Sequence, residues 1–113
     1  MWRLLLLALL LGGCSKGAEA DLQYIKQARS ASAEWALVNA KASEGKLTRT
    51  YVASMHKWLR EAIRSAATGI TQPQSPHGAE IQRILELPDD AAPARLRAGS
   101  EKLKHIEDSL ESA

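Results

Sequence analysis

The sequence predicts an all-α protein, with an antiparallel helical hairpin inside a small three- or four-helix bundle. Alanine is abundant, phenylalanine is absent and β-branched residues are few, a composition that favours helices over sheets. Apolar residues also recur at alternating steps of three and four residues in three separate segments, which is the spacing of an apolar helix face. At 113 residues, the chain has room for one domain.

The first thirteen residues are typical of a secretory signal peptide. Arg3 precedes an unbroken apolar run from Leu4 to Leu11. A positive charge followed by about eight apolar residues matches a signal peptide, whereas a transmembrane helix needs about 20 apolar residues. Residues 1–13 are therefore predicted to be removed during export.

The residues around the cysteine indicate the kind of signal peptide. The segment Leu11-Gly12-Gly13-Cys14 resembles the lipobox of bacterial lipoprotein precursors, and the resemblance covers residues 1–15. It implies cleavage between Gly13 and Cys14, with fatty acyl chains such as palmitate attached to Cys14; two or more such chains give stable anchoring. Ser15 stands where an inner-membrane retention signal usually has Asp, so the resemblance implies the periplasmic face of the outer membrane.

The same segment fixes the predicted division of the chain. Cys14 is the only cysteine, so an intramolecular disulfide is impossible. Residues 14–19 are predicted to be a tether that reaches at most about 20 Å, and residues 20–113 are predicted to form the bundle. Gly12 departs slightly from the lipobox, since Ala or Ser is commoner there, and an ordinary secreted protein with a chance cysteine is the alternative.

The first long helix is predicted from about Ala20 to Ser43, ended by Gly45. One apolar seam repeats at steps of four and three: Tyr24, Ala28, Ala31, Trp35, Val38 and Ala42. A second, weaker strip consists of Leu22, Ile25, Ala36 and Ala40. Because a helix with two apolar strips usually touches two neighbours, we expect this helix to be central.

The second helix has a clear start signal at Thr48, which can cap its N-terminus, while Leu47 and Val52 can form a hydrophobic staple. Its seam consists of Val52, Met55, Leu59, Ala62 and Ala66, and Gly69 ends it. The short turn between the two helices predicts an antiparallel hairpin.

Proline and glycine divide the remainder of the chain. A linker is predicted near residues 71–78, and Ser75 followed by Pro76 is typical of a helix start. A short helix should end before Pro88. Asp89 and Asp90 are then predicted to cap a last helix, with Pro93 in its first turn. The seam of that helix is Leu96, Gly99, Leu103, Ile106 and Leu110.

The most distinctive charged feature is a basic face on the second helix. It consists of Lys46, Arg49, Lys57, Arg60 and Arg64. At about 100° per residue these positions fall within about 80° of one another, opposite the apolar seam. Such a face suits an anionic partner: peptidoglycan carboxylates, lipid phosphates or an acidic protein surface. The alternative is a solvated face in which Glu61 pairs with Lys57.

The sequence predicts no ligand-binding or metal-binding role for Tyr51, Trp58 or the histidines. Tyr51 and Trp58 lie seven residues apart on one flank of the seam, where a core edge is a better interpretation than a ligand platform. His56, His77 and His105 stand in different segments without a metal-binding pattern, so we expect surface histidines and no metal or cofactor.

Catalysis and nucleic-acid binding are disfavoured. With Cys14 assigned to lipid attachment, no cysteine is left for a Cys–His pair, and helix capping explains Asp89 and Asp90 without invoking an acid–base pair. Export disfavours a nucleic-acid partner. We therefore expect a non-catalytic interaction or assembly protein of the envelope, using the second apolar strip or the last helix, with weak self-association as a further option. The alternative is a binder of peptidoglycan or another anionic surface through the basic face.

Overall fold

The computed structural model describes residues 17–112, and within that range the chain is all-α. The helices are α1 (Gly17–Ala20), α2 (Leu22–Ser43), α3 (Arg49–Gly69), α4 (Pro76–Leu85) and α5 (Pro93–Glu111). The predicted fold class is confirmed. The predicted signal peptide, residues 1–13, and Cys14 lie outside the described residues, while the first three residues of α1 belong to the stretch predicted as a tether. None of the helices described here is both long enough and apolar enough to cross a bilayer.

Local signals place most of the helix ends as predicted. The Thr48 hydroxyl accepts a hydrogen bond from the Tyr51 backbone N–H at 3.2 Å, and the Ser75 hydroxyl accepts one from Gly78 N–H at 3.1 Å. Both therefore satisfy donors that a helix start leaves free. Gly45 follows α2 with a φ of +73°, a left-handed conformation that glycine adopts without strain.

The prediction that Asp89 and Asp90 cap the last helix is wrong. The residue before α5 is Ala92, and no side chain caps the helix. Pro93 does begin it, as expected. Asp89 instead turns towards α2 and α3, where its backbone carbonyl accepts hydrogen bonds from Trp35 Nε1 and Asn39 Nδ2, both at 2.9 Å. Hydrogen bonds to two buried donors stabilise this loop conformation more than a single exposed helix cap would.

The central helix of the bundle is α2, which packs against α3 along one side and α5 along the other. Both predicted strips of α2 contribute to the core, including Ala28, Trp35 and Val38 from the seam and Ile25 and Ala36 from the second strip. Leu22 and Ala40, the other two residues of the second strip, are half-buried. Helix α4 lies between α3 and α5.

Small and polar residues allow the helices to approach closely. The Ser32 hydroxyl donates to the Leu96 carbonyl at 3.0 Å, and the Ser100 hydroxyl donates to the Arg29 carbonyl at 3.1 Å, so hydrogen bonds join α2 and α5 in both directions. Across the hairpin, Gln27 Nε2 donates to the Ala62 carbonyl at 2.8 Å. This bond marks the level at which the two antiparallel helices meet, and the predicted hairpin is confirmed.

Candidate functional site

Part of the predicted basic face lines a surface cleft. Arg49, Lys57 and Arg60 border a cavity of about 400 Å³ beside the α2–α3 turn. The cavity also touches the loop between α4 and α5. The other lining residues are Ala42, Leu47, Val52, Ala53, His56 and Asp89. We call this cavity the basic cleft. Its volume falls at the lower end of the range for small-molecule sites, roughly 300–1,000 Å³.

Arg60 is held in place by the fold, which the sequence did not reveal. Its guanidinium donates to Asp89 Oδ1 at 2.6 Å, to the Leu85 carbonyl at 3.0 Å and to the Leu87 carbonyl. The same group lies 4.7 Å from the centre of the Trp35 ring, a cation–π distance. Arg60 therefore fastens the α4–α5 loop to the hairpin, and three of the five N–H donors of this member of the predicted basic face are used inside the protein.

Arg49 and Lys57 are the exposed cations of the cleft. Neither forms an ion pair within residues 17–112. The expected pairing of Glu61 with Lys57 is wrong, because Glu61 pairs with Arg64 one turn further along α3. The cleft thus has three cations against the single carboxylate of Asp89.

The remaining two members of the predicted face are paired locally and lie outside the cleft. Lys46 pairs with Glu44 at 2.9 Å in the α2–α3 turn, and Arg64 pairs with Glu61. Both pairs are exposed, and exposed pairs contribute little to stability. The predicted basic face is therefore divided into three residues that line the cleft and two that lie in solvent.

His56 forms a half-buried wall of the cleft, so the expectation of a surface histidine fails here. Its Nε2 lies 2.7 Å from Asn39 Oδ1, while Asn39 Nδ2 donates to the carbonyls of Asp89 and Ala91. With the amide nitrogen of Asn39 used as donor, its oxygen is the acceptor, and His56 Nε2 carries the proton. The ring also lies against Trp35, with centroids 6.3 Å apart. These contacts give the cleft a fixed wall.

The arrangement can bind an anion that has a short apolar part. Ala42, Leu47, Val52 and Ala53 supply apolar surface, and Arg49 and Lys57 supply charge beside the fixed guanidinium of Arg60. Of the three cations only Arg60 is held by the fold, so its charge stays in place without a loss of side-chain entropy on binding. A carboxylate or phosphate is the chemical group that this combination fits.

At the other end of the hairpin lies a buried polar cluster that the sequence analysis missed. Asp21 is 0% exposed and His77 3% exposed. The Asp21 carboxylate accepts hydrogen bonds from His77 Nε2 at 2.8 Å, from the Thr71 backbone N–H and hydroxyl, both at 2.8 Å, and from the Gln72 N–H at 3.2 Å. We call this cluster the Asp21 clasp. His77 was expected at the surface, and this expectation is wrong.

The clasp is a structural device, since the Asp21 carboxylate and the His77 ring are hydrogen-bonded to each other and closed to solvent. Burial alone would raise the pKa of the Asp21 carboxyl, but the hydrogen bonds from Thr71, His77 and Gln72 outweigh it and lower that pKa below its ordinary value of 3.8. The carboxylate therefore stays ionised. It ties the start of α2 to the linker between α3 and α4, 50 or more residues away.

A group of three carboxylates on α5, Glu107, Asp108 and Glu111, brings its oxygens within 4.8 Å of one another. Each carboxylate has a basic neighbour: Arg29 lies 2.5 Å from Glu107, Lys104 lies 3.8 Å from Asp108, and Lys26 lies 2.8 Å from Glu111. Two ion pairs between α2 and α5 and one within α5 explain the grouping.

The sequence suggested that Tyr51 and Trp58 form an edge of the core, but the structure leaves both exposed. They are 48% and 63% exposed, and Leu37 on α2 is 55% exposed. Within residues 17–112 these are the large apolar side chains that remain in solvent.

No protein-family model, curated protein or solved structure matches this chain.

Proposed function

We propose that this chain is a small lipoprotein anchored to the outer membrane of a bacterium, facing the periplasm, and that it acts by binding rather than by catalysis. Its binding site is the basic cleft. The ligand is an anionic group of another envelope component, and the carboxylates of peptidoglycan peptides fit best. This proposal joins the interaction module and the anionic-surface binder that the sequence left as alternatives.

Support for the anchor comes from the N-terminal sequence. The charge, the apolar run and Leu11-Gly12-Gly13-Cys14 stand in the order that lipid attachment requires. Helix α1 begins at Gly17, three residues after Cys14, a distance of at most about 10 Å. The bundle would therefore lie directly on the membrane surface, within reach of fixed envelope components.

Support for the binding site comes from one observation above all. Arg49, Lys57 and Arg60 line a single cleft that has apolar walls. The other two residues of the predicted face, Lys46 and Arg64, lie outside this cleft in local ion pairs. An exposed ion pair contributes only about 0–1 kcal/mol, so one carboxylate would bind weakly. A polymer that presents many carboxylates raises the effective concentration, and this favours an envelope polymer over a free small anion.

The test is retention of the detergent-extracted, full-length protein on isolated peptidoglycan sacculi at increasing salt. We compare the unaltered protein with Arg49→Glu/Lys57→Glu and with a matched control, Arg95→Glu/Arg97→Glu. The control changes two exposed basic residues of α5 that do not line the basic cleft. Salt-sensitive retention that is lost in the first variant and kept in the control supports the proposal.

Two results would overturn it. Equal loss in both variants would indicate general charge attraction without a site. Unchanged retention on sacculi whose carboxylates have been amidated would show that carboxylates are not the ligand and would leave an acidic protein surface as the better interpretation.

A further inference from the structure

The three exposed apolar side chains share one side of the hairpin. Tyr51 and Trp58 are seven residues apart on α3, so they lie within about 20° of each other round the helix axis. Ala62, four residues after Trp58, contacts Gln27 of α2 through the 2.8 Å hydrogen bond described above. The flank of α3 that carries Trp58 is therefore the flank next to Gln27.

Leu37 extends this surface on α2. It lies about 80° further round α2 than Gln27, on the side away from the buried Trp35. Helix α5 packs on another side of α2, the side that carries Arg29 and Ser32, which are hydrogen-bonded to Ser100 and Leu96. We call the surface formed by Leu37, Tyr51 and Trp58 the aromatic face.

The aromatic face lies opposite the basic cleft. Round the axis of α3, Arg49 is about 180° from Trp58, Arg60 about 160° and Lys57, at the outer edge of the cleft, about 100°. Whatever covers the aromatic face therefore leaves the cleft open on the other side of the hairpin.

We propose that the aromatic face rests in the headgroup region of the membrane that carries the lipid anchor, so that the hairpin lies along the bilayer and the basic cleft is turned away from it. Tyrosine and tryptophan combine an apolar ring with a polar tip, and they are enriched at membrane–water interfaces for that reason. The inference rests on the proposed lipid anchor and adds an orientation to it.

The reach of the tether agrees with this orientation. Residues 14–16 span at most about 10 Å, which holds the start of α2 close to the bilayer. From the hairpin register, Trp58 lies near the level of Ala31, about 15 Å along α2 from Leu22. An upright bundle would therefore hold Trp58 well above the headgroups, whereas a bundle lying on its side brings it to their depth.

The size of the aromatic face argues against a second protein copy as its occupant. An aromatic side chain presents about 150–250 Å² in total, so three half-exposed apolar side chains expose only a few hundred Å². A stable dimer buries about 800 Å² on each partner. A bilayer makes no such demand, because the acyl chains supply the affinity and the aromatic side chains need only set the orientation.

The test uses the mature, lipidated protein in vesicles of phosphatidylethanolamine and phosphatidylglycerol that contain a phospholipid brominated near the headgroup end of its acyl chains. Trp35 is buried, and Trp2 is lost if the signal peptide is removed, so the difference between the unaltered protein and Trp58→Phe reports on Trp58. We expect the Trp58 emission to move to shorter wavelength and to be quenched by the bromines. Equal access of aqueous acrylamide to Trp58 with and without vesicles would overturn the inference.

A second measurement tests the orientation without relying on fluorescence. On intact proteoliposomes, a membrane-impermeant maleimide should label Arg49→Cys fast and Trp58→Cys slowly, and detergent should remove the difference. Equal rates before detergent would contradict the inference. If the protein floats with vesicles but Trp58 stays in water, only this orientation fails. If the unaltered protein is found without lipid, the proposed anchor itself fails.

Discussion

The two ends of the helical hairpin use polar side chains in opposite ways. At the Asp21 clasp, a carboxylate and an imidazole are closed to solvent, and the carboxylate accepts four hydrogen bonds. At the basic cleft, Arg60 is fixed by the fold, but Arg49 and Lys57 remain exposed beside it. The difference teaches that burial and hydrogen-bond satisfaction, rather than charge alone, separate groups that hold the fold from groups available to a ligand.

The largest effect is expected from Asp21→Ala. It leaves the buried His77 ring and the backbone N–H groups of Thr71 and Gln72 without their acceptor, and breaking a buried charged network by removal of one partner costs about 3–5 kcal/mol. The free energy of unfolding, measured by urea denaturation and circular dichroism, should fall by that amount. A loss below about 0.5 kcal/mol, the range of ordinary surface substitutions, would show that the clasp does not hold the ends of the bundle together.

A smaller effect is expected from Arg60→Met. The variant keeps an apolar stem but loses the hydrogen bonds to Asp89 and to the carbonyls of Leu85 and Leu87. Hydrogen bonds from a charged group contribute about 1.5–3 kcal/mol, so we expect a loss of about 2 kcal/mol. Hydrogen exchange should accelerate first in the α4–α5 loop and not at the clasp. Uniform acceleration along the chain would contradict a local role.

The clasp should also make stability sensitive to acid. Because the folded state lowers the pKa of Asp21, the clasp contributes fully above pH 3.8, the ordinary value for this group, and its contribution is lost as pH falls through the lower folded pKa. Urea midpoints measured from pH 5 downwards should decline more steeply for the unaltered protein than for Asp21→Asn. Parallel curves would show that Asp21 is not the titrating group.

The smallest effect on stability is expected from Arg49→Gln/Lys57→Gln. Both side chains are exposed, and surface substitutions of this kind usually change stability by less than about 0.5 kcal/mol. The same variant should nevertheless lose salt-sensitive retention on sacculi, whereas Arg95→Gln/Arg97→Gln should keep it. A strongly destabilised cleft variant would mean that these cations support the fold, and the contrast between the two ends would disappear.

Local sequence signals were sufficient for most of the architecture. Thr48, Ser75 followed by Pro76, and Gly45 act on neighbouring backbone atoms, so their roles can be predicted from adjacent residues. The step of three and four residues likewise placed Trp35 and Leu59 in the core. These effects span at most a few helical turns.

The polar contacts that distinguish the two ends could not be predicted in the same way. Asp21 meets His77 across 56 residues, and Arg60 meets Asp89 across 29. Nothing in the local sequence specifies such a partner, because it is chosen by how the helices pack. The basic face was recognised as a pattern on one helix, but its division into cleft and solvated parts depends on the α4–α5 loop.

The most direct test of the basic cleft as a ligand site is photo-crosslinking in living cells. Ala53 lines the cleft and is exposed, whereas Ala98 is exposed on α5 outside it, so a photo-reactive phenylalanine analogue can be placed at either position in the full-length protein. We predict muramidase-sensitive adducts at position 53 and few at position 98. Equal yields at the two positions, or adducts at position 53 that resist muramidase, would contradict the claim that the cleft binds peptidoglycan.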